Sequence, residues 1–359
     1  MLAGKTLPEL AAELKRQNDV KRDYLLDTQN LIMDADDNGV MLTMVNDAKH
    51  ESTLLGINDI AHMQIGSELG IPKNYYEKMR MQNPQLLAEN VNAWFNTEPK
   101  TRMVRTLDGT ARAFLSDRYR RIDNADIFAV VYPVLEELGV SFESTEVTDS
   151  RMYVKVVNKK LTKEVKPGDY VQSGIMITNS EVGMGTVTIQ PLLYRLVCTN
   201  GMVVNDMKTG ATRRRHIGRR QFATEDYTLY ADDTLLADNR ALMLKMRDTI
   251  INALNEVHFN NLIDMMHSAA EVKIEAPNIP KMVELAAPEF GFTKKESEGI
   301  LNHLIHEGDL TLYGLSNAVT RFAQDVTNYD RSTELESIGY NILTMPTRTW
   351  KRLQEAYAA

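Results

Sequence analysis

Tyr170-Val171-Gln172-Ser173-Gly174-Ile175-Met176-Ile177-Thr178 and Thr186-Val187-Thr188-Ile189-Gln190-Pro191-Leu192-Leu193-Tyr194-Arg195-Leu196-Val197, parted by a turn at Gly183-Met184-Gly185, decide the fold class of this chain. Both runs are rich in β-branched residues, and the glycines between them suit a hairpin. Two more strand candidates precede them, over 141–147 and 151–157, with turn residues at Asp149-Ser150 and Pro167-Gly168. Further upstream, Leu107-Asp108-Gly109 joins Arg102-Met103-Val104-Arg105 to Ala111-Arg112-Ala113-Phe114-Leu115 as another hairpin. Residues 126–138 read as a helix stopped by Gly139. A strand pair, a helix and an antiparallel meander make an α+β domain, with a central antiparallel sheet and one crossing helix.

On either side the period changes. Thr6-Leu7-Pro8-Glu9 is a capping-box pattern with proline in the first turn, and Leu10, Ala11 and Leu14 continue at helical spacing. Asn38-Gly39 predicts a tight hairpin between 31–33 and 40–42. Residues 57–69 predict a helix ended by Gly70, and Pro72 starts another. This helix-turn-helix outline reads as a core corner, because its second helix offers only Lys73, Lys78 and Arg80 to a phosphate. From Asp232 onward the chain is helical and acidic, with a long amphipathic run over 235–257, breaks at Pro277, Pro280 and Pro288, and a later helix over 313–326. Three regions are expected: an N-terminal helical and hairpin region (1–99), a central basic antiparallel α+β domain (100–221) and an acidic helical C-terminal region (222–359).

A hydrophobic content of 43% and a charged content of 25% are those of an ordinary globular chain. No run of 18 apolar residues occurs and no apolar leader follows Met1, so a cytoplasmic protein without a membrane span is expected. Cys198 is the single cysteine, which excludes an internal disulfide. Charge is spread unevenly. The net is −8, yet from Lys100 to Arg220 there are 20 Lys plus Arg against 13 Asp plus Glu, so that window carries +7 and the remainder −15. A positive segment within an acidic chain points to a polyanionic partner.

Two groups of arginines carry that reading. Arg102, Arg105, Arg112, Arg118, Arg120 and Arg121 lie among strand-like residues, with Phe114 and Tyr119 interleaved. Guanidinium groups neutralise phosphates while rings stack on unpaired bases, which suits single-stranded nucleic acid. The competing reading is internal: Asp117, Asp123 and Asp126 are close enough in sequence to pair with Arg118, Arg120 and Arg121. The second group is denser. Arg213, Arg214, Arg215, Arg219 and Arg220 fall within eight residues, and the nearest acids are Asp206 and Glu225. Such density is costly to bury unpaired; phosphate binding is expected, with a solvated surface run or an intersubunit patch as the alternatives.

Other motifs resolve to structure. Cys198 beside Asn200-Gly201 could pair with His216 as nucleophile and base, but the pattern is that of a small thiol beside a turn, with Gly201 supplying the left-handed residue. His303-Leu304-Ile305-His306-Glu307 lacks both zinc spacings. Gly183-Met184-Gly185-Thr186 has no following Gly-Lys-Ser/Thr, and Asp34-Ala35-Asp36-Asp37-Asn38-Gly39 has no closing glutamate. No cofactor, metal or catalytic residue is expected.

Four stretches together resemble the phage/plasmid-like protein family, a domain of unknown function carried by bacteriophages and mobile elements. They are Gly70-Ile71-Pro72-Lys73-Asn74-Tyr75-Tyr76; Phe114-Leu115-Ser116-Asp117-Arg118-Tyr119-Arg120-Arg121-Ile122-Asp123-Asn124; Val197-Cys198-Thr199-Asn200-Gly201-Met202; and Tyr313-Gly314-Leu315-Ser316-Asn317-Ala318-Val319-Thr320-Arg321. The resemblance implies a mobile-element origin and no particular activity. With the charge pattern, the expectation is a non-enzymatic nucleic-acid-binding protein, a homo-oligomer that handles single-stranded DNA in recombination or replication. The alternative is an interaction protein that inhibits a host defence or DNA-processing factor.

Overall fold

A computed structural model describes residues 1–36, 39–46, 51–205, 212–214, 232–276 and 278–355. The chain is α+β, with two sheets and a helical C-terminal region. α1 (Leu7–Val20) starts at the capping box: the Glu9 carboxylate accepts from the Thr6 amide at 2.8 Å, and Thr6 Oγ1 accepts from the Glu9 amide at 3.5 Å.

The first sheet runs in the spatial order β1 (Arg22–Asp27), β5 (Thr101–Leu107), β6 (Thr110–Ser116), β4 (Glu51–Ile57), β3 (Gly39–Asn46), β2 (Leu31–Asp36). β4 and β6 pair in parallel and the other neighbours are antiparallel. Asp108 and Gly109 both take positive φ in the β5–β6 turn, as the Asp-Gly pair requires. One face of the sheet is covered by α2 (Asp59–Glu68), α3 (Lys73–Gln82) and α4 (Pro84–Thr97), around a core that includes Leu31, Met33, Leu42, Val91 and Val104. Since β5 pairs with β1, and β6 with β4, a boundary at 99/100 passes through one sheet. Pairings across about 80 residues leave no mark in local periodicity.

The second sheet follows α5 (Asn124–Glu137). Its order is β11 (Asn200–Val203), β10 (Val187–Arg195), β9 (Asp169–Asn179), β8 (Met152–Lys166), β7 (Ser141–Val147), and β12 (Thr212–Arg214) also pairs with β10. β8 continues nine residues past the expected end at 157, because Thr162–Lys166 pair with β9 beyond a bulge. Both faces are covered. α1, α5 and α6 (Asp232–Ala253) pack on Val154, Val156, Ile175, Ile177 and Ile189. Against the opposite face, α10 (Leu312–Phe322) and α11 (Tyr329–Leu343) bring Tyr329 onto Tyr153 and Met176. There Lys155 Nζ donates to Glu336 Oε2 at 2.6 Å, with both side chains fully buried.

α7 (Glu256–Glu271), α8 (Ile279–Phe290), α9 (Lys294–Glu307) and α12 (Thr347–Glu355) complete the C-terminal region. The single amphipathic run expected over 235–257 is two helices, because Asn255 caps α7 through its side chain. Pro280 lies in the first turn of α8, where its missing N–H costs nothing, and Pro288 is carried inside that helix rather than ending it.

Candidate nucleic-acid interface

The β9–β10 connection, Ser180-Glu181-Val182-Gly183-Met184-Gly185-Thr186, is buried over its first three residues, while Gly183 is exposed and the rest is half-buried. It inserts between the two sheets and is gripped from several sides. Gln64 of α2 donates to the Val182 carbonyl at 2.7 Å and accepts from the Phe114 amide at 2.7 Å. Tyr119 Oη donates to the Ser180 carbonyl at 3.0 Å, and Ser180 Oγ donates to the Ser150 carbonyl at 2.7 Å. Gly183 has φ +75°, so a residue with a Cβ would be strained there, and it would also have to displace the end of the Leu115 side chain, 2.7 Å away.

Glu181, 4% exposed in its side chain, is the electrostatic centre of this junction. It accepts from Arg112 Nη2 at 2.5 Å and from the Asn124 amide at the start of α5 at 2.6 Å, with Lys21 Nζ at 3.5 Å. Arg105 is fully buried beside it. It donates to Asp23 at 2.7 and 3.1 Å, to Asp123 at 2.7 Å and to the Glu181 carbonyl at 2.8 Å. Burial alone would lower the Arg105 pKa, but the two carboxylates outweigh it and hold the group above the ordinary guanidinium value. Burial likewise favours a protonated Asp123, and Arg105 and Lys21 reverse that and keep its carboxyl below the usual range. Three acids and three bases thus neutralise one another inside the protein.

These contacts decide what the expected binding residues are free to do. Arg105 and Arg112 are consumed at the junction, and Arg102 pairs with Glu68 of α2. The acids that take them up are as far away in sequence as Glu181, so their pairing was invisible there. Tyr119 is buried and Phe114 stacks on Phe95, with ring centroids 5.8 Å apart; neither ring can receive a base in this arrangement. Arg120 pairs with Asp238 of α6. Arg118 is exposed, and Arg121, 60% exposed, reaches Asp23 only at 3.6 Å. The backbone of Arg213 and Arg214 lies in β12, opposite Thr188 and Val187. Arg215, Arg219 and Arg220 fall outside the described residues.

The 118–121 segment of the first group and the backbone of Arg213 and Arg214 from the second, distant in sequence, come to one end of the second sheet. Thr178, Thr188 and Arg213 form a cross-strand row over β9, β10 and β12. At strand spacing this sets the Arg213 backbone roughly 10 Å from that of Thr178. The next residue, Asn179, donates to the Ile122 carbonyl and to Asn124 Oδ1, both at 2.9 Å, and so ties the 118–121 segment to the same end. Exposed Arg151 is there too, donating to the Met184 carbonyl at 3.2 Å through Nε.

Two exposed features escaped the sequence reading. The extended β8–β9 hairpin displays Lys159 and Lys160 toward the opposite end of the sheet, beyond the expected strand end at 157. Trp94 on α4 is 43% exposed, although it stands seven residues after core Leu87 and therefore reads as a core position. Cys198 is half-buried, and burial and Glu307 push its thiol pKa up, the opposite of an activated nucleophile. The left-handed residue in its turn is Thr199, φ +51°, and not Gly201. His303 Nε2 lies 2.6 Å from Asp325 Oδ2, and no cluster suited to a metal occurs among the described residues.

No helix among the described residues is long and apolar enough to cross a membrane. No curated protein and no solved structure is significantly similar to the chain. Residues 112–356, beginning within β6, match the model of a domain of unknown function, DUF932, and the chain belongs to that family.

Proposed function

We propose that this protein binds single-stranded nucleic acid, DNA undergoing recombination or replication in a phage or plasmid, at the arginine-bearing end of its second sheet. The observation that carries the reading is the convergence there of Arg118, Arg121 and Arg151 with the strand that bears Arg213 and Arg214. The mobile-element setting rests on the four-stretch resemblance. The role is non-catalytic: guanidinium groups neutralise successive phosphates, while both covered faces of the sheet leave its end as the contact surface. About five neutralised phosphates would make affinity fall with roughly the −3.5 power of salt concentration.

Fluorescence anisotropy tests this with a labelled single-stranded oligonucleotide, its duplex and its RNA equivalent. The wild type is compared with an Arg118→Ala/Arg121→Ala variant and an Arg213→Ala/Arg214→Ala/Arg215→Ala variant. The expected result is salt-sensitive binding, tightest for the single strand and weaker in both variants. Absence of binding to all three probes at low salt overturns the proposal.

A further inference from the structure

A second feature lies on the first sheet, where α4 and the start of β5 enclose a cleft of about 150 Å³ lined by Thr28, Glu68, Trp94, Glu98, Lys100 and Arg102. Its volume is small beside the roughly 300–1,000 Å³ of pockets for drug-sized ligands, so it suits a single ring system. We propose that it takes one unpaired nucleobase, guanine in preference, stacked on Trp94. This adds a base-reading site to the nucleic-acid reading without depending on the arginine-bearing end.

Three observations support it. Trp94 shows 43% of its surface although its neighbour Phe95 is fully buried, so a broad aromatic face is open at the cleft. Arg102 is nearly buried and gives one terminal nitrogen to Glu68, while its Nε is enclosed without a partner among the described residues. A buried donor left unmade is costly, and a shift of the Arg102 side chain on ligand entry would let an acceptor in the cleft satisfy it. The charge is also balanced: Glu68 bridges Arg102 and Lys100, the latter at 3.0 Å, and Glu98 is exposed with no side-chain partner among the described residues. A neutral ring with acceptors on one edge and donors on another matches this set better than a bare phosphate does. Guanine offers O6 and N7 to a guanidinium or ammonium group, and its N1–H and amino group to a carboxylate.

The location fits a strand already held at the arginine-bearing end. Arg102 lies opposite Ser116 in the β5–β6 register, and Tyr119 donates its amide to the Ser116 carbonyl. Arg118 follows Ser116 by two residues, so its Cα is within about 13 Å of that of Arg102.

Trp94 and Trp350 are the only tryptophans. Trp350 is buried and its Nε1 has no partner among the described residues, so Trp350→Phe loses no hydrogen bond seen there and leaves Trp94 as the sole reporter. Emission is followed while guanosine monophosphate, thymidine monophosphate, or oligonucleotides with and without guanine are added. The expected result is saturable quenching by guanosine monophosphate, little by thymidine monophosphate, and at least fivefold weaker binding of guanine-bearing oligonucleotide in Trp94→Ala. Circular dichroism checks that the variant is folded, as an exposed ring should allow. Quenching by the mononucleotide without oligonucleotide binding upholds the cleft as a free-nucleotide site and removes the nucleic-acid reading. Unchanged Trp94 emission with every guanine probe overturns the cleft, and salt-dependent oligonucleotide binding in the same samples leaves the other reading standing.

Discussion

Arg105 and Arg118 stand thirteen residues apart and meet opposite ends. The first is wholly enclosed among Asp23, Asp123 and a carbonyl, whereas the second faces solvent. Both belong to the same sequence cluster of arginines and strand-like residues. The difference is made by partners that arrive from elsewhere, Asp23 from β1 and Glu181 from the β9–β10 connection. Density of charge is a property of a segment; availability of charge is a property of the folded neighbourhood.

The comparison can be broken most directly at its buried member. Arg105→Ala leaves Asp23 and Asp123 facing each other without their shared cation, and loss of one partner from a buried ionic set costs about 3–5 kcal/mol. Urea unfolding should show that loss, and a change under 1 kcal/mol would mean the junction is far wetter than described. A neutral buried group sharpens the contrast. His62 accepts from or donates to Tyr76 Oη at 3.0 Å, and burial, with Arg80 nearby, pulls its pKa from 6.5 to about 4. The unfolded chain therefore takes up the proton first. Stability from this group is complete above about pH 6.5 and falls as pH drops toward 4, by about 2 kcal/mol from pH 7 to 5. Paired melts of wild type and His62→Gln at those two pH values should isolate that slope; equal slopes would discard the assignment. The smallest effect belongs to the exposed arginines. Arg118→Ala/Arg121→Ala should change unfolding free energy by less than about 0.5 kcal/mol, so any lowered affinity in that variant reads binding rather than folding.

Much of the local architecture was legible in the sequence. The Thr6–Glu9 capping box, the Asp108-Gly109 turn and the Gly139 stop each occur where their chemistry predicts. β7 spans the predicted residues, because turn residues bracket it closely. What failed was long-range. The parallel β4–β6 pairing joins segments separated by α2, α3 and α4, and nothing in the period of either strand announces it. The candidate site shows the same division. The arginines were visible and their convergence on one end of a sheet was not, since it depends on Asn179 and on the β10–β12 register. Trp94 was hidden for a subtler reason: it sits at the margin of the α4 apolar stripe, where a spacing of seven from Leu87 implies burial that the fold does not supply.

The two turns of β10 offer different prospects to anyone wishing to alter this protein. Most hairpin loops absorb insertions readily, because they lie on the surface. The β9–β10 turn is anchored at Ser180, Glu181 and Val182, and one residue added there would draw Glu181 away from Arg112. At the other end of β10, Leu196 and Val197 project into solvent before β11 begins. An affinity tag, a fluorophore or a crosslinking group belongs at that second turn, where it would leave the junction of the two sheets undisturbed.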